Sequence, residues 1–526
     1  MLPQTSTWSP VALNLAPRPT DSAEEPTFLT ATGYGGLRKM LRQRFDSIRI
    51  IDFRGENRGA LPAIVTSDAN VFKIEVGVCV LVAFASGDGA EGAEADVAYA
   101  DVWAAGAFTR SEKLSLAIEA STNSERLQFQ AVEGGGMARF KPAGFQGRDW
   151  LNLTELFSFK SNGIVTYRDK FSYATSAAVL ESRITSWLCK EPDVAAREFK
   201  ETRDRRAGPA LVLAFRREAI ELVSYRPLDR RYLYNVREFI DFPKAVLQNV
   251  WQGDNLALMT LPSGIGSGPA VWAHGLLPDQ HAFRGSYGGW IFPLRNPAPE
   301  SEGHFINIDV MAGLAIAYGG AVEPRQVFDA ILALLSATSY TTRFAHDLED
   351  DFPQVPFPAD VVLFNQAAEI GARIRELQGF HANPAENFRR AQIDGVAEGQ
   401  SLEIPAPARA FAVEDGIGSV SLVRDGDFRI TGVSERAWGF NVSGYKVLYK
   451  WLKARSGESL QGQSGVEVLR DALDIVWRIE ELLSLYDAAD EVLVDALELS
   501  LSRGQLNLPD RAIDGAFHGE VDDEAG

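Results

Sequence analysis

The residues best suited to binding chemistry lie in one stretch, Ser224-Tyr225-Arg226-Pro227-Leu228-Asp229-Arg230-Arg231-Tyr232-Leu233-Tyr234. Proline fixes its own φ and disfavours a helix at the preceding residue, so this stretch is predicted to bend and to project its guanidinium and phenol groups. Guanidinium groups pair bidentately with phosphate oxygens and guanine edges, and tyrosines hydrogen-bond or stack. The stretch therefore suits contact with phosphates and bases. The alternative is a network of arginine, aspartate and tyrosine that braces a loop.

Patterns typical of catalysis or metal binding are absent from the sequence. The six histidines have no metal-ligand spacing, and His274 and His281 are only weak evidence for a ligand pair. Two cysteines in unrelated contexts, Cys79 and Cys189, exclude a disulfide framework. The sequence contains no G-x-S-x-G elbow, no Walker-type phosphate loop and no Asn/Asp-Pro-Pro-Tyr/Phe tetrapeptide, with which amino-methylating enzymes hold a flipped adenine.

Two other patterns have ordinary structural interpretations. The carboxylates of Asp347, Glu349, Asp350 and Asp351 would suit a divalent ion, but directly before Phe352-Pro353 they favour a solvated turn. Gly264-Ile265-Gly266-Ser267-Gly268 superficially resembles a cofactor loop. It lies between two prolines with no helix start to supply amide groups, so a flexible loop is predicted.

Composition limits both the class of protein and the kind of partner. A chain of 526 residues has room for roughly two to four domains. Its net charge of −19 argues against a general nucleic-acid coat, so any such contact must be local. Between Arg197 and Arg237 lysine and arginine do outnumber the acidic residues, although a solvated charged face would give the same pattern. No apolar run reaches the roughly 18 residues that span a bilayer and no signal pattern is present, which predicts a cytoplasmic protein without a membrane partner.

The periodicity of the chain predicts an α/β start, a mixed β middle and a helical end. A helix from Leu37 leads into a strand at Ile48-Phe53, and Val76-Phe84 is predicted to be a strand covered on both faces. Only two core strands are evident before residue 87, so the sheet is predicted to be the last part of a larger one, completed by another chain or by later strands. Strand-like runs follow, including Ala210-Phe215, and Val179-Phe199 is predicted to be helical. After Gly303 helical periodicity dominates, at Val327-Leu335, Phe364-Leu377 and Val466-Leu483, with Asp360 as a cap.

Several short motifs follow one another along the chain, namely Leu37 to Gly55, Val76-Val80, Gly163-Asp169, Tyr225-Asp229, Ile291-Leu294, Ser339-Phe344, Asp351-Phe357 and Gly444-Lys453. In this order they resemble the C-terminal part of type ISP restriction-modification enzymes, single chains that combine nuclease, helicase-like translocase, adenine-N6 methyltransferase and target-recognition domains. The first two resemble the methyltransferase strands that follow the family's catalytic tetrapeptide. The next three resemble motifs of its recognition domain, and the last three resemble landmarks of its C-terminal helical region.

Composition, periodicity and the resemblance together predict a division of the chain into five parts and a fold class of α/β plus α+β. These parts are a flexible lead-in (1–27), the C-terminal part of a methyltransferase-like, incomplete Rossmann-like sheet domain (28–145), a mixed β target-recognition domain (146–302), a mainly helical specificity region (303–503) and an acidic disordered tail (504–526). The family's S-adenosylmethionine loop, catalytic tetrapeptide, helicase motifs and nuclease motifs have no counterpart in the sequence. S-adenosylmethionine is therefore expected only together with a methyltransferase half supplied by a partner or by an absent upstream region.

Three functions stay open on this basis. The first is a sequence-specific DNA recognition component of a restriction-modification or phage-defence system, with double-stranded DNA and a methyltransferase or helicase-nuclease as partners. The others are half of an adenine-N6 methyltransferase assembled in trans, and a scaffold that does not bind DNA. For the first, the expected contacts to phosphates or base edges are Tyr225, Arg226, Arg230, Arg231, Tyr232, Tyr234 and Lys244, and the segment from Gly264 to Gly289 is expected to be a loop that enters a groove.

Overall fold

The computed structural model describes residues 28–30, 34–55, 65, 67–72, 74, 77–85, 94–123, 126–142, 145, 148–251, 254–285, 288–349, 351–395, 402–424, 427–456 and 465–509. The predicted lead-in at 1–27 lies outside this part of the chain, as does most of the predicted tail. Residues 504–509 of that tail are an exception, because Leu506 is buried in the largest core. The predicted start of disorder at residue 504 is therefore wrong.

Residues 28–142, called the N-terminal unit here, form a sheet with helices beside it. The sheet has the order β2-β1-β3-β4, in which β1 is parallel to β3 and antiparallel to β2, and β3 is antiparallel to β4. The alternating burial of β1 fits a strand that packs one face against the core. The elements are α1 (Gly35–Arg44), β1 (Ser47–Asp52), β2 (Cys79–Phe84), β3 (Asp96–Asp101), α2 (Arg110–Thr122) and β4 (Gln130–Ala131).

The predicted helix and first strand of this unit are confirmed, whereas the second strand differs from its prediction. β2 is an edge strand and is not covered on both faces, since its second residue, Val80, is 36% exposed. This sheet was expected to be completed either by another chain or by later strands of the same chain. The later strands β3 and β4 pair with it, as the second alternative predicted.

The middle region contains several small sheets and short helices. β8 and β9 form a hairpin that is joined by β7, and a second sheet has the order β11-β10-β12-β6. The elements are β5 (Leu151–Asn152), α3 (Leu153–Leu156), β6 (Ser161–Asn162), α4 (Asp169–Ser172), β7 (Tyr173–Ala174), α5 (Ala177–Leu188), α6 (Pro192–Phe199), α7 (Ala207–Leu211), β8 (Ile220–Arg226), β9 (Asp229–Tyr234), α8 (Ala245–Val250), β10 (Ala257–Thr260), β11 (Trp272–His274) and β12 (Trp290–Pro293).

Two predictions for this region need correction. The helix predicted over 179–199 is two helices, because Pro192 occupies the first turn of α6 and lacks the amide hydrogen that a continuous helix would need. The strand predicted at Ala210-Phe215 is the end of helix α7 and the chain after it, and Val212 points into solvent with 83% of its surface exposed.

The remaining chain is mainly helical, with one four-stranded sheet of order β14-β17-β16-β15. The predicted helices are confirmed, and the Asp360 carboxylate caps α12 by accepting a hydrogen bond from the Val362 amide. The elements are α9 (Ile308–Ala317), α10 (Pro324–Ser336), α11 (Tyr340–Arg343), β13 (Gln354–Val355), α12 (Val361–Gln378), β14 (Gln392–Asp394), α13 (Pro407–Ala410), β15 (Phe411–Glu414), β16 (Ile417–Ser421), β17 (Arg429–Thr431), α14 (Glu435–Gly439), β18 (Asn441–Val442), β19 (Tyr445–Lys446), α15 (Val447–Lys453) and α16 (Gly465–Glu498).

The buried apolar residues form one large core and several smaller ones. The large core extends from Phe145 to Leu506, and α10 lies inside it with every residue from Val327 to Ser336 buried. A smaller core between Phe171 and Phe239 is rich in aromatic rings. The N-terminal unit has its own apolar clusters. The large core thus contains residues on both sides of the predicted boundary at position 302. The apolar clusters of the N-terminal unit are separate from the large core, and this separation falls near position 145.

Among the described residues, no helix is long and apolar enough to cross a membrane.

Candidate nucleic-acid interface

The arginine–tyrosine stretch forms the β8–β9 hairpin, with its proline at the turn. Arg226 pairs with Asp229 across the turn, and Pro227 and Leu228 connect them, with Leu228 at a φ of +54°. An irregularity in the pairing between Ser224 and Arg226 bends the end of β8. The predicted proline-fixed bend is therefore present.

The tip of this hairpin is buried, which corrects the expectation that it projects all of its side chains. Arg226 is 8% exposed, and its Nη1 donates to Asp279 Oδ1 at 2.7 Å, while Nη2 lies 3.7 Å from Asp169 Oδ2. Burial opposes the charge of Arg226, but the carboxylates of Asp279 and Asp169 and the phenol of Tyr225 outweigh it and raise the pKa of this guanidinium. Arg226 is thus held inside the protein by partners that are distant in sequence.

A second buried ion network centres on Asp229. Its Oδ2 accepts from Arg231 Nη2 at 2.8 Å and its Oδ1 accepts from Arg455 Nη2 at 2.7 Å, which connects β9 to the residues after α15. Burial alone would raise the pKa of Asp229, but the two guanidinium groups outweigh it and lower that pKa to about 2. Arg231 therefore has a structural partner within the stretch, as the alternative of a bracing network of arginine, aspartate and tyrosine predicted.

The three tyrosines of the stretch also contribute to the protein interior. The hydroxyl of Tyr225 donates to Asp169 Oδ2 at 2.8 Å, and the Arg226 and Arg231 guanidinium carbons lie 3.9 and 3.8 Å from the centre of its ring. Tyr234 is 1% exposed, and its hydroxyl accepts from the Arg216 amide at 3.1 Å. Tyr232 is half-buried and packs against the aromatic-rich core. Tyr225 and Tyr234 therefore cannot offer a ring face to a partner while the hairpin keeps this conformation.

Arg230 is the arginine of this stretch that faces solvent. Its guanidinium carbon lies 3.9 Å from the centre of the Phe380 ring, and within the described chain it has no hydrogen bond or ion pair. Partial burial and the nearby positive charge of Arg478 lower the pKa of Arg230. Of the expected contact residues, Arg230 is thus the one with unused hydrogen-bonding capacity at an exposed position.

Lys244, the remaining expected contact, lies outside the hairpin. It is half-buried at the start of α8 with a φ of +55°, and its Nζ lies 5.9 Å from the centre of the Phe242 ring.

The segment from Gly264 to Gly289 was expected to be a loop that enters a groove, and part of it is packed within the protein. It includes strand β11, and its glycine-rich start is held against the C-terminal region. The Gly264 amide donates to the Glu349 carbonyl at 3.1 Å and the Gly266 amide to Ser443 Oγ at 2.9 Å. A side chain at position 268 would lie 2.0 Å from the Asn441 carbonyl oxygen, so this glycine permits the close approach of two backbones.

Two of the acidic residues before Phe352 pair with arginines of the N-terminal unit, and Asp350 lies outside the described residues. Glu349 pairs with Arg54, which also pairs with Asp101, and Arg139 Nη1 lies 2.5 Å from Asp351 Oδ1. No group of three His, Cys, Asp or Glu side chains that could hold a metal ion occurs in the described ranges. The cluster therefore connects two parts of the fold.

Three residues of the hairpin surroundings were missed by sequence reasoning, namely Asp279, Phe380 and Arg455. Asp279 and Arg455 are 53 and 226 residues away from their ion-pair partners, so no local pattern indicates them. Phe380 follows the end of α12 with a φ of +60°. A phenylalanine at a helix end is a common core feature and gave no functional signal.

The chain belongs to the family of the Type ISP C-terminal specificity domain, whose profile matches residues 155–478. The match begins in α3 and ends within α16, and so includes the β8–β9 hairpin, α10 and α12.

Solved structures of three proteins have a similar fold. One is a nuclease-deletion mutant of the Type ISP restriction-modification enzyme LlaGI in complex with a DNA substrate mimic, with 17% identity, a TM-score of 0.58, and coverage of 88% of this chain and 38% of that one. Another is the ATP-dependent Type ISP restriction-modification enzyme LlaBIII bound to DNA, with 16% identity, a TM-score of 0.61, and coverage of 88% and 32%. The third is DrdV in a DNA complex, with 18% identity, a TM-score of 0.57, and coverage of 90% and 50%.

This chain thus spans between about a third and a half of the length of these proteins. A search among curated proteins found no match.

Proposed function

We propose that this chain reads the DNA target of a restriction-modification system, as the specificity component of a larger assembly. The observation that carries the proposal is the match of residues 155–478 to the Type ISP specificity domain. It is supported by the fold likeness to three proteins whose structures were solved with DNA or a DNA mimic. Host defence against phage is the expected role of such a system.

The contact surface that we propose is narrower than the arginine–tyrosine stretch as a whole. Arg230 is the first candidate for contact with DNA, because its guanidinium is exposed and has no protein partner in the described chain. Tyr232, two positions further along β9, and Lys244, at the start of α8, are both half-buried and are proposed as further contacts. We assign Tyr225, Arg226, Arg231 and Tyr234 to the support of this surface, since each is engaged inside the fold.

For the N-terminal unit we propose the C-terminal part of a Rossmann-like adenine-N6 methyltransferase domain. The parallel pair of β1 and β3 beside α1 supports this proposal. Catalysis and S-adenosylmethionine binding would then depend on a partner or on a further region of the same protein, and the assembly would act in the cytoplasm. Methyl transfer that appears only after mixing with such a partner would favour a methyltransferase assembled in trans.

A selection from randomised duplexes tests the proposal and requires no assumption about the target sequence. The full chain is incubated with a pool of duplexes that share fixed ends, and the bound fraction is amplified and sequenced over several rounds. We expect one short recurring motif, because contacts to base edges in the grooves distinguish sequences. Binding that enriches no motif contradicts target reading, and an absence of duplex binding favours a scaffold that does not contact DNA.

A further inference from the structure

A partly open cleft lies beside the β8–β9 turn. The end of β11 and the residues that follow α12 form its other walls, and the lining includes Arg226, Asp229, Arg230, His274, Gln378 and Phe380. The cleft thus brings together three segments of the chain that are far apart in sequence.

Most polar groups of the cleft already have partners inside the protein. Arg226 and Asp229 are engaged in the ion networks described above. The Gln378 side chain accepts from the Ala273 amide at 2.8 Å and donates to the Tyr486 hydroxyl at 3.0 Å. The polar groups that remain able to bind a ligand therefore belong to other residues of the lining.

Two groups in the lining have unused hydrogen-bonding capacity. One is the Arg230 guanidinium, and the other is Nε2 of His274, which is buried without a hydrogen-bond partner among the described residues. His274 is 3% exposed, and burial lowers its pKa to about 3, so the imidazole is neutral at physiological pH. A buried polar nitrogen without a partner is unfavourable unless a water or a ligand supplies the missing hydrogen bond.

The aromatic ring at the cleft orients the arginine rather than offering a stacking surface. The guanidinium carbons of Arg230 and Arg478 lie 3.9 and 4.3 Å from the centre of the Phe380 ring. A guanidinium that lies over a ring keeps its in-plane N–H groups free, and these match the oxygens of a phosphate. With the ring already covered by guanidinium groups, the cleft favours an oxyanion over an unstacked base.

We propose that this cleft binds one backbone phosphate of the DNA, with Arg230 supplying the positive charge and His274 donating a second hydrogen bond from Nε2. The inference rests on the proposed function, since the phosphate belongs to the duplex that the domain reads. A phosphate fixed beside the hairpin turn would set the position of the domain along the duplex without reading sequence itself.

The salt dependence of duplex binding tests this site. Affinity of the full chain for a mixed-sequence duplex is measured across a salt series for the wild type, Arg230→Gln and His274→Phe. For Arg230→Gln we expect the slope of log affinity against log salt to decrease in magnitude by about 0.9, the value for one phosphate. For His274→Phe we expect several-fold weaker binding with an unchanged slope, because a neutral donor is lost. Added inorganic phosphate should compete less well against either variant than against the wild type.

Melting temperature separates a binding role of His274 from a structural one. Phenylalanine removes the buried nitrogen that has no partner, so His274→Phe should melt no lower than the wild type. His274→Gln retains a donor and should keep part of the affinity, which gives a second test if the phenylalanine does not fit. The matched control is Arg325→Gln, an exposed arginine at the start of α10, which should leave both slope and affinity unchanged.

If the wild type binds with a steep salt slope and neither Arg230→Gln nor His274→Phe alters its binding, the proposal that the cleft binds a phosphate is overturned. The proposed function is then left intact. A slope change with Arg230→Gln alone, and full affinity with His274→Phe, would also overturn the two-group site. A wild type that binds no duplex contradicts the proposed function itself.

Discussion

At the scale of single residues, the hairpin arginines divide into one that faces solvent and two that hold the fold together. Asp229 and Arg231 are two positions apart in β9 and form an ion pair, whereas Arg230 between them is exposed. Alternation of side chains along a strand accounts for this division. A substitution that removes both Arg230 and Arg231 therefore combines a loss of contact with a loss of stability, and Arg230 alone gives the cleaner test.

The Asp229 ion network should make the free energy of unfolding depend on pH in the acidic range. The pKa of Asp229 is about 2 in the folded protein and about 3.9 in an unfolded chain, so its contribution is fully present above the unfolded value and is lost as the pH falls toward 2. For Asp229→Asn we expect a free energy of unfolding lower by roughly 3–5 kcal/mol at pH 7, because Arg231 and Arg455 lose their carboxylate. The difference from the wild type should shrink by roughly 2 kcal/mol on acidification. Urea denaturation across a pH series measures both.

An exposed carboxylate provides the control for this prediction. Asp394 has a side chain that is 58% exposed, so Asp394→Asn should change the free energy of unfolding by less than about 1 kcal/mol at every pH. A difference between Asp229→Asn and the wild type that stays constant down to the lowest pH would contradict the assignment of acid sensitivity to Asp229.

At the scale of elements, the helical region depends on one close contact between α10 and α12. A side chain at Gly371 would lie 1.7 Å from the Asp329 carbonyl oxygen, so the two helix backbones meet there. One turn further, Arg375 pairs with Asp329 at 2.7 Å in a buried position. The glycine thus lets an apolar helix pair include an ion pair with good geometry.

Gly371→Ala should lower the free energy of unfolding by about 3 kcal/mol, because α12 must move away from α10 to relieve the overlap. Chemical denaturation measures the loss. The matched control is Gly36→Ala in α1, where the added methyl group meets nothing within 4 Å and the higher helix propensity of alanine should stabilise by up to about 1 kcal/mol. Equal changes in the free energy of unfolding for the two substitutions would show that the close contact between α10 and α12 does not limit stability.

The elements that sequence reasoning found and missed differ in a physical way. α10, α12 and α16 were predictable because their apolar residues recur with the helical period over many turns. β3 was missed because most of its residues are alanine or aspartate, which have low strand propensity, and only its pairing with β1 fixes it as a strand.

The candidate site was predictable in position but not in geometry. The proline-fixed bend followed from local residue types, whereas the burial of its tip depends on Asp279 and Arg455, which reach it only through the tertiary fold. Sequence periodicity contains no information on such distant partners. The same limit explains why the cleft with His274 and Phe380 had no counterpart in the sequence interpretation.

At the scale of the whole molecule, a strongly acidic chain presents an exposed arginine beside the hairpin turn. The net charge is −19, and the guanidinium of Arg230 faces solvent next to the Phe380 ring, whereas the nearby Arg478 is buried and paired with Asp474 at 2.6 Å. Repulsion from the acidic remainder should disfavour DNA elsewhere on the surface. The N-terminal unit is connected to the large core through the ion pairs of Arg54 and Arg139, which fix it next to the domain that we propose reads DNA.

Hydrogen exchange with and without the duplex enriched in the selection tests most directly the claim that this chain reads DNA through the β8–β9 hairpin. We predict slower exchange in β8, β9 and the Gly379–Phe380 turn on addition of that duplex, and a smaller effect with a duplex of scrambled sequence. Slower exchange confined to β1–β4 of the N-terminal unit, with the hairpin unchanged, would contradict the account.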